Sequence, residues 1–400
     1  MGILELFKRK ATSPIPISNS IGGNPVLSGN RVTESNAMGL SAHFACVRLI
    51  ATTLASLPIH VYERTKNGKI QRPDHPVAQL LRLRPNPDMT SFSFIEALQA
   101  QISNRGKAFA EIVFDRKGYP AELWPIEPGV IQPQRKDNGS IIYKYNNSDT
   151  ILPAWKVLHI PGLSFDGINS FSPVQLFRQS FGTSMAVEEY GARFFGQGTN
   201  VGGFLEHPQK LSKEAYDRLK TEMAIKYQGL QNSHGIIVLE EGMKYTRLGM
   251  AMEDIQFIES RKFTATEMAR IHGVPPHLIA DLEKATFSNI EEQGIEAVTY
   301  LFRPWAIRWE QALDSKLFTE EEQQRFYIKF EIDGLLRGNI KARYEAYSIG
   351  LNNGFLNADE VREKEDMNPM PNGEGKIFRF PLNMTNASNE EKRNGKSGNE

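Results

Sequence analysis

Cysteine, net charge and long apolar runs are the three things this sequence lacks. With Cys46 alone there is no intramolecular disulfide and no thiolate zinc cage, which excludes a stapled secreted scaffold and argues for a reducing, intracellular compartment. The 47 basic and 47 acidic side chains leave a formal charge of zero, so neither a strongly basic nucleic-acid binder nor an acidic disordered chain fits. No stretch approaches the roughly 18 to 20 apolar residues that cross a bilayer, because Arg, Glu, Pro or Gly interrupts each one, and no membrane partner is expected. Met1–Lys10 lacks the hydrophobic run and small-residue cleavage site of a signal peptide and reads as a short helix or frayed terminus. What is present is an ordinary globular balance, 40% hydrophobic and 24% charged over 400 residues. That length supports two or three domains at about 150 residues each.

Catalytic signatures are near misses. Gly162-Leu163-Ser164-Phe165-Asp166-Gly167 puts Asp166 where a nucleophile elbow needs glycine, so a loop after a strand is the better reading. Gly395-Lys396-Ser397 resembles the end of a phosphate loop, but Glu390 replaces its first glycine and no strand precedes it. Gly196, Gly198, Gly202 and Gly203 close a helix instead of opening one, and Val201 stands where a dinucleotide loop has its third glycine. His272 and His277 are five apart across two prolines, unlike two metal ligands on one helical face. No catalytic residue, metal or cofactor is expected.

The hydrophobic periods predict an α+β organisation. Residues 11 to 36, rich in Ser, Pro, Gly and Asn, read as an extended arm of the kind that binds a neighbouring subunit. A helix runs from Ser41 to Pro58, and a hairpin follows around Asn67-Gly68. A short helix opens at His75-Pro76 and a longer one spans Ser91 to Arg105. Five short strands are predicted at 109–114, 121–125, 130–134, 141–145 and 156–160. From Ser172 a helix of about seven turns leads to Gly196. A small strand, helix, strand, strand unit then precedes a second long helix, Met252 to Ile271.

Ser288-Asn289-Ile290-Glu291 is a capping box opening a helix of about 29 residues, roughly 40 Å, that Pro304 must kink. Arg193, Phe194 and Phe195 read as packing anchors at a helix end, and Trp305 and Trp309, four apart, as packing residues. Asp333 and Arg337 read as helix capping at a loop, with an ion pair between subunits as the alternative. A last helical pair, Arg337–Leu351 and Asn357–Glu365, surrounds Asn353-Gly354, and the aromatic-free tail beyond Pro381 cannot bury enough to order itself.

Local motifs make the order specific. They include Ala45-Cys46-Val47-Arg48-Leu49-Ile50-Ala51 with Ala55-Ser56-Leu57-Pro58, Arg84-Pro85-Asn86-Pro87, Leu123-Trp124-Pro125-Ile126, Glu189-Tyr190 and Arg193-Phe194-Phe195. Further on come Leu239-Glu240-Glu241-Gly242-Met243, Gly273-Val274-Pro275-Pro276-His277-Leu278, Ala285-Thr286-Phe287-Ser288-Asn289-Ile290-Glu291, Arg303-Pro304-Trp305 and Asp333-Gly334-Leu335-Leu336-Arg337-Gly338. Taken together, from Ala42 to Pro369, the chain resembles the phage portal protein family of the HK97 type.

The resemblance implies a portal fold, an α/β wing, helical stem, small α/β clip and helical crown, assembled into a ring of twelve subunits. On this sequence it would divide as an arm at 1–24, wing at 25–171, first stem helix at 172–198, clip at 199–250 and second stem helix at 251–279. A tunnel loop at 280–288, a kinked helix and second wing part at 289–332, a crown at 333–380 and a disordered tail at 381–400 would follow. It implies non-specific, transient contact of Leu282, Glu283, Lys284, Ala285, Thr286 and Phe287 with double-stranded DNA. Its implied partners are further copies of the chain, the terminase large subunit, the major capsid protein and the head-tail connector. The implied location is one capsid vertex of a virion, after assembly in the host cytoplasm. Two readings stay open beside it: a head-tail adaptor ring without DNA passage, typically shorter, and a hydrolase using Ser164 and Asp166, which would turn over substrate as a monomer.

Overall fold

The computed structural model describes residues 26–66, 68–196, 203–206, 211–227, 243–247, 253–279, 293–332, 334–335, 340–365 and 367–379. Contacts divide the chain into two compact units, 1–285 with 301–330, and 286–300 with 331–400.

The first unit begins with a short helix, α1 (Glu34–Ala37), opened by a capping box between Thr33 and Asn36. α2 (Ser41–Ser56) buries Cys46, Val47, Ile50, Ala51 and Leu54 at helical spacing, and Pro58 follows its end. β1 (Ile59–Thr65) turns into β2 (Gly68–Gln71) with Gly68 at φ +122°; Asn67 lies outside the described residues. α3 (Pro76–Arg82) is capped by His75, whose Nδ1 accepts the Val77 N–H. α4 (Ser91–Arg105) is capped by the Thr90 hydroxyl and stops at Gly106, which takes φ +80° and returns its N–H to Ile102. α2 and α4 pack on each other through their apolar stripes.

β3 (Lys107–Phe114), β4 (Pro120–Ile126), β5 (Ile131–Arg135), β6 (Ile141–Tyr145), β7 (Ile151–Pro153) and β8 (Val157–Pro161) make two antiparallel sheets, ordered β4-β3-β8 and β5-β6-β7. Phe109 pairs with Ile126 on one side and His159 on the other. One face of the first sheet shares a core with the second through Phe109, Ile126, Ile131, Tyr143, Leu152 and Val157.

α5 (Pro173–Leu176) and α6 (Arg178–Gly196) replace the single helix expected from Ser172. Phe177 leaves the helical region between them, yet Val174 and Phe181 are both fully buried in one cluster. The apolar stripe therefore runs on across a break that periodicity does not register. β9 (Gly203–Glu206) and β10 (Lys244–Arg247) pair antiparallel around α7 (Lys213–Tyr227), and α8 (Glu253–His272) comes next. The strand expected at 235–239 lies outside the described residues.

A π-helical turn, Val298–Phe302, precedes α9 (Arg303–Leu317), in which Pro304 sits in the first turn. Proline lacks the amide donor and crowds the carbonyl four residues back, and a widened turn is one way for a helix to accommodate both. The capping box at 288–291 lies outside the described residues. α10 (Glu320–Arg325) carries a capping box of its own, Thr319 with Glu322, and β11 (Phe326–Phe330) joins the first hairpin in the order β11-β1-β2. Neither element was expected from the sequence. Asp314 and Glu310 on α9 accept the Ile328 and Phe330 N–H groups of β11. On β1, Glu63 is covered by the guanidinium groups of Arg325 and Arg72, whose hydrogen bonds hold its carboxyl below the usual carboxylate range.

In the second unit, α11 (Ile340–Asn352) turns through Gly354 at φ +73° into α12 (Ala358–Lys364), capped by Asn357 and Glu360. Arg343 Nη2 and Tyr347 Oη both donate to Glu365, tying the pair together. Asp333 and Arg337 lie outside the described residues.

Candidate functional site

The six loop residues Leu282, Glu283, Lys284, Ala285, Thr286 and Phe287 belong to 280–292, a span outside the described residues. The described structure nevertheless defines how the chain is delivered to them. α8 stops because Gly273 takes φ +66°, the Gly273 N–H returns to Arg270 and the Val274 N–H to Ala269. Pro275 and Pro276 forbid continuation, and a single 3₁₀ turn, Pro276–Ile279, closes with the Leu278 N–H on Pro275.

The lower end of α8 is rooted in the first unit. Met268 and Ile271 pack with Val174, Phe181 and Met185 from the α5–α6 segment, and with Val26, Val32, Ala37 and Leu40. Residues 26–36, expected to be part of an extended arm reaching a neighbour, are thus packed on their own chain through Val26 and Val32. Gly182 makes the approach possible: an added Cβ would lie 2.2 Å from Val26 Cγ2, and the Asn30 side-chain amide donates to the Gly182 carbonyl.

Beside this cluster lies a polar chain that the sequence did not reveal. His43, fully buried on α2, bridges His272 at the end of α8 (2.9 Å) and Asn104 on α4 (3.1 Å). Asn104 donates its Nδ2 to the Glu34 carbonyl, so its Oδ1 is the acceptor facing His43 Nε2. His43 therefore carries its proton on Nε2 and accepts on Nδ1 from His272 Nε2–H, which fixes both tautomers. Phe181 covers the His43 ring edge-on at 4.9 Å. Burial lowers His43 despite the Asn104 hydrogen bond, and burial together with the neighbouring His43 pushes His272 down to about 3.

A group whose folded value lies below its ordinary 6.5 supports folding while neutral. The contribution is complete above pH 6.5 and is lost as pH falls from there towards about 3, because the unfolded chain binds the proton first. Melting temperature should therefore fall more steeply over that window in the wild type than in His43→Gln/His272→Gln; equal slopes would show that the pair does not titrate with folding.

The other residues singled out by sequence fall elsewhere. Ser164 Oγ accepts the Gly167 N–H, and the Asp166 carboxylate accepts the Ile168 and Asn169 N–H groups, so both close a surface turn. His159, the nearest imidazole in sequence, meets Tyr143 Oη through Nδ1 and has no partner on its buried Nε2. The structure does not assemble a serine–histidine pair there. Side chains of Arg193, Phe194 and Phe195 lie outside the described ones, whereas Trp309 is fully buried with Nε1 donating to Gln99 Oε1 at 2.8 Å. Among the described residues no three His, Cys, Asp or Glu side chains could hold a metal ion, and no helix is long and apolar enough to cross a membrane.

A two-helix element rooted in an α+β body is a fold that other chains share. The sequence model described as "Phage portal protein" matches residues 41–366. This chain belongs to the phage portal protein family. It is 32% identical over 398 residues to a probable portal protein of Streptomyces phage phiC31, covering 95% of this chain and 86% of that one. The portal protein of Enterobacteria phage HK97 is 28% identical over 360 residues, 88% of this chain and 85% of the relative. Among solved structures, a chain in the neck of a native gene transfer agent particle, computed with C12 symmetry, has the same fold. Its TM-score is 0.57 at 23% identity, covering 88% of this portal chain and 97% of that one.

Proposed function

We propose that copies of this portal chain close into a ring of twelve at one vertex of a virion capsid, forming the channel through which double-stranded DNA is packaged and later ejected. The observation that carries the reading is the match to the portal family across residues 41–366, which spans the body and both long helices. The C12 neck of the gene transfer agent supports the subunit number. In this ring 25–171 and 289–332 form the wing, α6 and α8 the stem, 199–250 the clip and 333–380 the crown. The loop Leu282–Phe287 faces the duplex, and terminase, capsid protein and the head-tail connector dock on the outside. The role is mechanical and calls for no catalytic residue, cofactor or metal.

Zero net charge suits such a channel. Each phosphate neutralised by a fixed cation releases counterions and strengthens retention, so a strongly cationic lining would grip the cargo. The stem must also transmit force without bending at its root, and the His272–His43–Asn104 chain and the apolar cluster beside it join α8 to α2 and α4 at that point. The experiment is Lys284→Glu. Packaged DNA per particle should drop while ring assembly is unchanged; undiminished packaging would remove the loop from the mechanism.

A further inference from the structure

A groove of about 820 Å³ lies between the end of α3 and the β3–β4 turn, within the first unit. Leu80, Leu83 and Tyr119 supply its apolar surface, and Arg82, Arg84 and Lys117 its rim. Leu83 is 63% exposed and Tyr119 40%, large apolar side chains that both line the groove and face water. None of the three cations makes an ion pair among the described residues.

The walls are set in advance. Leu123 N–H donates to the Pro85 carbonyl at 2.6 Å and Asn86 Nδ2 returns to the Leu123 carbonyl at 2.8 Å, so Arg84-Pro85-Asn86-Pro87 is clamped to β4. Across the groove Asp115 Oδ1 accepts the Lys117 and Tyr119 N–H groups, which holds the turn, and Asp115 is the one acid among three cations in the lining. A preformed, partly apolar trough carrying three cations against one acid is complementary to an anionic, partly apolar chain. Duplex DNA presents phosphates and base edges and offers no apolar side chain to cover Leu83 and Tyr119.

We propose that this groove docks an acidic peptide segment of a partner protein. An aliphatic or aromatic side chain of that segment sits between Leu83 and Tyr119, and its carboxylates meet Arg82, Arg84 and Lys117. The docking uses residues of one chain only, so it stands or falls independently of ring closure.

The test is fluorescence anisotropy on the full-length protein with a labelled Asp- and Glu-rich peptide carrying a central Leu-Phe pair. Saturable binding is expected at low salt, weakening by at least about tenfold in Arg82→Glu/Arg84→Glu and, on the other wall, in Lys117→Glu. It should also weaken in Leu83→Ser, which leaves the charges alone, and be absent for a Lys-for-acid version of the peptide. All the altered side chains are on the surface, and circular dichroism would confirm that the variants fold. Equal binding by wild type and variants would overturn the proposal. So would displacement of the peptide by short duplex DNA at the same residues, or loss of ring assembly in Arg82→Glu/Arg84→Glu without any peptide binding, which would assign the surface to contact between copies.

Discussion

Trp309→Ala should leave the first unit unfolded or insoluble at physiological temperature. The indole is fully buried, lies edge-on to Phe330 of β11, and donates to Gln99 of α4, a residue 210 positions away. Truncating a buried aromatic costs about 3–5 kcal/mol through lost transfer energy and the cavity left behind. Gln99 Oε1 then loses its partner in a site with no exposure, a further cost of about 1–3 kcal/mol. Against a net domain stability of about 5–15 kcal/mol, that sum is most of what is available. Trp309→Phe, which keeps a six-membered ring but loses the pyrrole ring with its N–H, should fall in between. Thermal unfolding followed by circular dichroism, with limited proteolysis as a second probe, measures the order. A Trp309→Ala protein melting close to the wild type would mean that α9 does not hold α4 and β11 together.

Gly106→Ala should be comparably damaging for a different reason. Gly106 ends α4 at φ +80°, and an added Cβ would lie 1.9 Å from the Phe171 carbonyl oxygen and 2.6 Å from its carbon. Those are backbone atoms, so no side-chain rotation relieves the contact. Gly162 closes the same crossing from the other side: its N–H donates to the Gly106 carbonyl at 2.7 Å, and its own added Cβ would meet that oxygen at 2.6 Å. Gly118 is the control, since it takes nearly the same φ, +84°, with nothing within 4 Å of an added Cβ. Gly118→Ala should therefore show only the left-handed penalty of about 1–2 kcal/mol. Gly106→Ala should exceed it severalfold in denaturant titration; equal losses would place the whole effect in backbone strain and none in the crossing.

Much of the fold was legible because local signals agree. The Thr90 cap and Gly106 stop bound α4, Gly68, Gly118 and Gly139 turn the hairpins through positive φ, and Asn357 opens α12. What escaped is non-local. β11 pairs Phe330 with Ile59 across most of the chain, and nothing within Phe326–Phe330 says which edge it will find. The Thr319–Glu322 capping box was there to be read and marks α10 without marking the strand after it. The arm residues Val26 and Val32 are too sparse for any period, and Val26 seats against Gly182, about 150 positions later.

The site divides in the same way. Gly273, Pro275 and Pro276 announce the end of α8, whereas the His43–His272 contact joins residues 229 apart that no local pattern links. The six loop residues were assigned from family resemblance and not from their own chemistry, because Leu, Glu, Lys, Ala, Thr and Phe in a row carry no motif beyond a polar turn.

Cryo-electron microscopy of the purified protein decides whether the chain closes into a portal ring. End-on class averages are expected to show twelvefold symmetry around an open axis wide enough for a DNA duplex. A homogeneous population of 45.1 kDa monomers at high concentration, with no annular particles, would contradict it.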